Sequence, residues 1–155
     1  MLNQLLPRHV DNTYHGYKLA LWIFAVLVFM KVSMSLNSIF NGHFVARSAD
    51  GIPLDTFTPA GAQAVISIFA LLGLSQFMIC LLGVAVLARY RALVPFMFAL
   101  LLLEFLSRRV ILLVLPIVRT GTPPGFFVNL VLLALMVVGL ALSLRRTQAV
   151  TFENS

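Results

Sequence analysis

Residues 65–87 read VISIFALLGLSQFMICLLGVAVL, twenty-three positions without a charged side chain, in which Gln76 is the most polar member. At 1.5 Å of rise per residue, a helix of this length crosses a hydrocarbon core of about 30 Å. The rest of the chain supports a lipid setting. Of 155 residues, 61% are apolar without counting glycine and 10% are charged, whereas a soluble domain carries roughly 45–50% apolar including glycine and about 25% charged. Eleven basic and five acidic side chains do not supply the polar exterior a water-facing fold needs, so the apolar excess faces lipid.

Working outward from this span gives an all-α protein, an integral membrane four-helix bundle with both termini cytoplasmic. Residues 1–16 form a polar N-terminal tail with Pro7, Arg8, His9, Asp11 and His15. A four-span transmembrane domain follows over 17–146, with spans at about 17–40, 62–87, 92–115 and 126–144, and residues 147–155 form a disordered tail. The apolar run 19–30, followed by Ser33 and Ser35, also has the outline of a signal peptide; the long tail and thin basic content before it favour retention as a helix. Turn residues Gly42, Gly51, Pro53 and Pro59 fill a first connection of about twenty residues. Arg89 and Arg91 mark a tight second connection, while Pro116 and Thr120-Gly121-Thr122-Pro123-Pro124 mark the third.

Charge sets the orientation. Placing the tails and the second connection together collects Arg8, Lys18, Arg89, Arg91, Arg145 and Arg146, leaving Arg47 and Arg119 opposite, which puts the first side in the cytoplasm of a multi-pass inner-membrane protein. The net charge of +6 is read as attraction to anionic membrane lipid, and nucleic-acid binding has no support. The single Cys80 excludes a disulfide framework, a redox cysteine pair and a multi-thiolate metal site. His43, Asp50 and Asp55 in the first connection read as solvated loop residues, and no metal is assigned.

Lys31, Glu104, Arg108 and Arg109 fall inside spans, where an unpaired charge costs at least ~2.5–3.5 kcal/mol near the centre. Lys31 lies twelve positions beyond Leu19, Glu104 eleven beyond Leu93, and Gln76 eleven before Leu87, so antiparallel helices bring the three to one depth. Glu104 and Arg108 share a helix face at a spacing of four; Arg109 is turned by about 100° and needs another partner or a route to the interface. Asn37 and Asn129 fall in the same outer half. Lys31, Asn37, Gln76, Glu104, Arg108, Arg109 and Asn129 therefore form a candidate ligand-binding set, positively charged and suited to an anionic or carbonyl-bearing ligand. The rival reading is an ion-pair network that fixes helix register. No nucleophile, base and orienter set is recognisable, so no catalytic residue is assigned. Gly73, Gly83 and Gly139 read as places of close helix approach.

Residues 69–83, FALLGLSQFMICLLG, followed by Leu87-Ala-Arg-Tyr-Arg91, resemble the second span and basic turn of DoxX-like small membrane proteins. Leu106-Ser-Arg-Arg109, followed by Gly121-Thr-Pro123, is similar to the third helix and loop of some branches of that group. The resemblance runs from about residue 31 to 144. It implies a four-helix chain with a long first connection and, for some members, a quinone-linked or redox-accessory role. This sequence departs from the group at Gln76, where many such proteins carry an acidic residue. Small multidrug transporters also have four helices, but they rely on an acidic residue in the first span, where this chain has Lys31.

The expected function is thus a small non-catalytic membrane protein with a positively charged pocket in its outer half. That pocket binds a small anionic or lipid-like ligand, a quinone among them, or the chain serves as a homo-oligomer or a subunit of a membrane complex. The alternative is a redox-accessory or lipid-modifying membrane enzyme of the DoxX-like type. The residues name no cofactor.

Overall fold

The computed structural model describes Tyr14 and residues 16–119 and 121–145. The expected disordered tail at 147–155, and the N-terminal tail apart from Tyr14 and Gly16, lie outside the described residues.

Every regular element among the described residues is helical. Four long helices form, α1 over Lys18–Phe40, α2 over Pro59–Arg89, α3 over Val94–Val114 and α4 over Gly125–Leu144. Local chemistry sets their ends. Thr58 caps α2 by accepting the Gly61 N–H at 3.2 Å, and Pro59 takes the first turn, where its missing donor costs nothing. The helix therefore begins three residues before the expected position 62. Arg91–Leu93 form a tighter 3-10 turn, so α3 starts at Val94 rather than 92, with Pro95 in its first turn. Pro123 and Pro124 bring the chain into α4, and the Pro123 carbonyl accepts the Phe126 N–H at 3.0 Å.

Three of these helices, α1, α2 and α4, are long and apolar enough to cross a membrane. Their outward side chains match that role: Trp22 and Phe29 are each 72% exposed. The third helix has 21 residues and an equally apolar exterior at Leu113, but it carries Glu104, Arg108 and Arg109. The chain has the make-up of a multi-pass membrane protein.

Packing follows a ring. The first helix lies against α2 and α4, and α4 lies against α3. At the end near Lys18 and Leu144 the ring is filled by Phe24, Leu27, Met97, Phe98, Leu101 and Met136, with the Phe24 and Phe98 rings edge-on at 5.2 Å. Glycines permit this closeness. A Cβ on Gly139 would fall 2.3 Å from the Phe98 ring, one on Gly73 2.9 Å from the Ser38 Cβ, and one on Gly83 3.2 Å from Val28.

The first connection, expected as turn chemistry, folds over the opposite end. Gly42–Phe44 continue as a helical turn, Val45–Ala49 widen into a π-type turn, and the Asp50 N–H donates to the Val45 carbonyl at 2.9 Å. Gly51 then reverses the chain at φ 70°, a conformation that side-chain-bearing residues rarely adopt. Ala46, Ile52 and Leu54 bury against Val65, Ile66 and Phe69 of α2. Outside this small apolar cluster, Arg47 and Asp55 make an exposed ion pair at 2.9 Å.

Candidate functional site

Lys31 projects from the buried face of α1 and is 7% exposed. Its ammonium donates to Glu104 Oε2 at 3.1 Å and to Gln76 Oε1 at 3.2 Å, so α1, α2 and α3 meet at one level through three polar side chains. Each atom is occupied in turn. Gln76 Nε2 faces Cys80 Sγ at 3.7 Å, and the other Glu104 oxygen accepts from Arg108, one turn further along the same helix. A lysine taken out of water at this depth needs such partners, and a carboxylate bridging two cations supplies them.

Beside this cluster lies a cavity of about 350 Å³. Its charged lining consists of Lys31, Arg108, Arg109 and Arg119 against Glu104 and Asp50. Four cations therefore face two carboxylates. The remaining wall is largely apolar, with Met34 of α1, Ile68 and Leu72 of α2, Phe105 and Leu112 of α3, and Phe126 and Leu132 of α4. Gln76 and Asn129 add side-chain amides to it.

Arg109 takes neither a carboxylate nor a purely outward path. Its guanidinium carbon lies 5.3 Å from the centre of the Phe105 ring and 5.8 Å from that of Phe126, a cation held by two aromatic faces. Among the described residues neither Arg109 nor Arg119 joins an ion pair, whereas Lys31 and Arg108 both spend their charge on Glu104. The guanidinium groups of the cavity wall outside any such ion pair are thus those of Arg109 and Arg119. An arginine fork suits a phosphate or carboxylate because its donors are planar and fixed.

Six of the seven candidate residues, Lys31, Gln76, Glu104, Arg108, Arg109 and Asn129, line this cavity. Asn37 does not. It lies at the end of α1, where its Oδ1 accepts the Asn41 Nδ2 at 2.9 Å, so its amide is spent on holding the helix terminus.

Asp50 departs from the solvated loop residue expected of it. The docked connection carries it into the cavity wall, half-buried, where the guanidinium groups of Arg119, Arg108 and Arg109 act on it. Burial pushes its carboxyl above the ordinary carboxylate value, and the three arginines oppose that shift. Arg119, placed by sequence only as an outer-side charge, also reaches the wall. Ala46, Ile52 and Leu54 are the sequence signal for this docking, since a purely solvated loop has no use for them. His43 stays exposed, and among the described residues no three His, Cys, Asp or Glu side chains converge as metal ligands.

Comparison of the chain with protein families, with curated proteins and with solved structures finds no match.

Proposed function

We propose that the protein is a four-span inner-membrane bundle with both termini cytoplasmic, and that its outward half holds a pocket for a small anionic or lipid-like ligand. The observation that carries this reading is the charge of the cavity wall, four cations against two carboxylates, with Arg109 and Arg119 outside any ion pair among the described residues. Register-fixing polar contacts average only about 0.6 kcal/mol per pair in membrane helices. One such pair accounts for Lys31 and Glu104 but gives no reason for three arginines around a void.

Orientation rests on the basic residues gathered at the end of Lys18, Arg89, Arg91 and Arg145. The third helix counts as a span because its charges line the cavity wall, where each has a partner or an aromatic face. The resemblance to DoxX-like proteins agrees with four spans and a long first connection, and the role proposed is binding without catalysis.

Two experiments test the reading. Reporter fusions after Leu36, Leu87, Arg119 and Arg146 should report outside, inside, outside and inside; an outside C-terminus contradicts the four-span arrangement. Mass spectrometry of protein purified in mild detergent should find a bound anion with the wild type and none with Arg109→Gln. An anion retained by both, or found with neither, contradicts the pocket.

A further inference from the structure

The ring of helices has an open side. The first helix packs on α2 and α4, and α4 on α3, but α2 and α3 touch little. They approach near the packed end, where a Cβ on Gly83 would come 3.8 Å from Met97. At the level of the cavity, the α2 wall presents Ile68 and Leu72, 54% and 47% exposed, and the α3 wall presents an exposed Arg108. The end of the bundle is covered by the docked connection, whose Val45, Ala49 and Ile52 form part of the cavity wall. A ligand arriving along the helix axis meets this cap, whereas one arriving sideways passes the exposed apolar side chains of Ile68 and Leu72 on α2 and the guanidinium of Arg108 on α3.

Resting on the pocket reading above, we infer that the cavity takes an anionic membrane lipid from the side. Its phosphate-bearing headgroup lies against Arg109 and Arg119, and an acyl chain leaves between α2 and α3 along Ile68, Leu72 and Leu112. Charge complementarity selects the headgroup, and the predominantly apolar wall selects a ligand with a hydrocarbon chain over a soluble anion. A free phosphate would satisfy the arginines but leave the exposed apolar wall without a role.

The chain has one tryptophan, Trp22, at the other end of the bundle, so an added one reports on the opening alone. The probe is Leu72→Trp in a Trp22→Phe background, reconstituted in phosphatidylcholine bilayers. Brominated phosphatidylglycerol or brominated phosphatidylcholine is added at the same mole fraction as a quencher. The expected result is brominated phosphatidylglycerol enriched about fivefold at the probe, the fold-change of the ~1 kcal/mol that one basic contact to an anionic lipid supplies. Arg109→Gln should remove that excess. Should Leu72→Trp fail to fold, Ile68→Trp, on the same wall and more exposed, carries the measurement.

Equal quenching by the two lipids overturns the inference. So does an excess that survives Arg109→Gln, because it reports general attraction to a basic protein. Inorganic phosphate separates this failure from failure of the pocket itself. Phosphate that raises the melting temperature of the wild type but not of Arg109→Gln, without a lipid excess, leaves an anion pocket filled from water. No lipid excess and no phosphate effect removes both the lipid and the pocket.

Discussion

The two ends of this bundle solve opposite problems with the same four helices. At one end Gly139 and Gly83 let Phe24, Phe98, Met97 and Met136 close the interior completely. At the other, Lys31, Gln76 and Glu104 hold three helices together through hydrogen bonds, and the space beyond them remains a cavity of about 350 Å³. Dispersion and close contact carry the first end; charge pairing and hydrogen bonds carry the second. Polar interiors in membrane bundles are costly, so an end built from charges where apolar packing was available points to a purpose other than stability.

The contrast is broken most severely at Glu104. Glu104→Gln leaves Lys31 and Arg108 without their carboxylate, and removal of one partner from a buried pair costs about 3–5 kcal/mol. Glu104 keeps some solvent contact and Arg108 is half exposed, so the lower end of that range is expected. Thermal unfolding in detergent should show the loss, and adding Lys31→Met should recover part of it because the orphaned ammonium goes with its partner. A double variant no more stable than the single one contradicts the pairing.

The packed end is broken next most strongly at Gly139. Gly139→Ala places a methyl against the buried Phe98 ring and should cost about 1–3 kcal/mol by overpacking. Phe98→Leu in the same chain should relieve part of this cost, and its failure to do so would locate the strain elsewhere.

A smaller effect of opposite sign is expected at Tyr14. Its hydroxyl is buried and finds no hydrogen-bond partner among the described residues, and the same burial pushes the phenol up to about 12. Tyr14→Phe should therefore stabilise by about 1 kcal/mol, read as a rise in melting temperature. A fall would show that the hydroxyl is satisfied after all.

The smallest effect is a slope. The folded protein holds the Asp50 proton more tightly than the unfolded chain, so stability falls as pH rises from the ordinary value of 3.8 through the raised folded value and is level above it. Asp50→Asn should remove this component from a pH series of melting temperatures. An unchanged series would mean that Asp50 is solvated.

Sequence carried the helical architecture because its signals are additive over twenty residues: 65–87 has no charge, and the breakers around it are prolines and glycines. The depth count that aligned Lys31, Gln76 and Glu104 used only helix rise and antiparallel order. Asn37 and Asp50 escaped for the complementary reason. Whether an asparagine at a helix end faces inward or ties down the next turn depends on one local bond to Asn41. Whether a loop carboxylate stays in water depends on Ala46, Ile52 and Leu54 finding a surface on α2, a long-range contact that no spacing encodes. The π-type turn at Val45–Ala49 likewise follows from that docking.

The central claim is that the charged end binds and the glycine-packed end holds the fold, and Arg109 against Gly139 tests it in one measurement. Wild type, Arg109→Gln, Arg109→Lys and Gly139→Ala are purified side by side, and each is scored for bound anion by mass spectrometry and for melting temperature after that anion has been stripped. The account predicts that Arg109→Gln loses the anion while its stripped form melts within the ~0.5–1 kcal/mol of an exposed cation–π contact. It predicts that Arg109→Lys loses most of the anion because a planar bidentate contact is gone, and that Gly139→Ala keeps the anion but melts lower. An Arg109→Gln protein that retains its anion yet melts as low as Gly139→Ala would contradict it, and would make the charged end a brace for the helices.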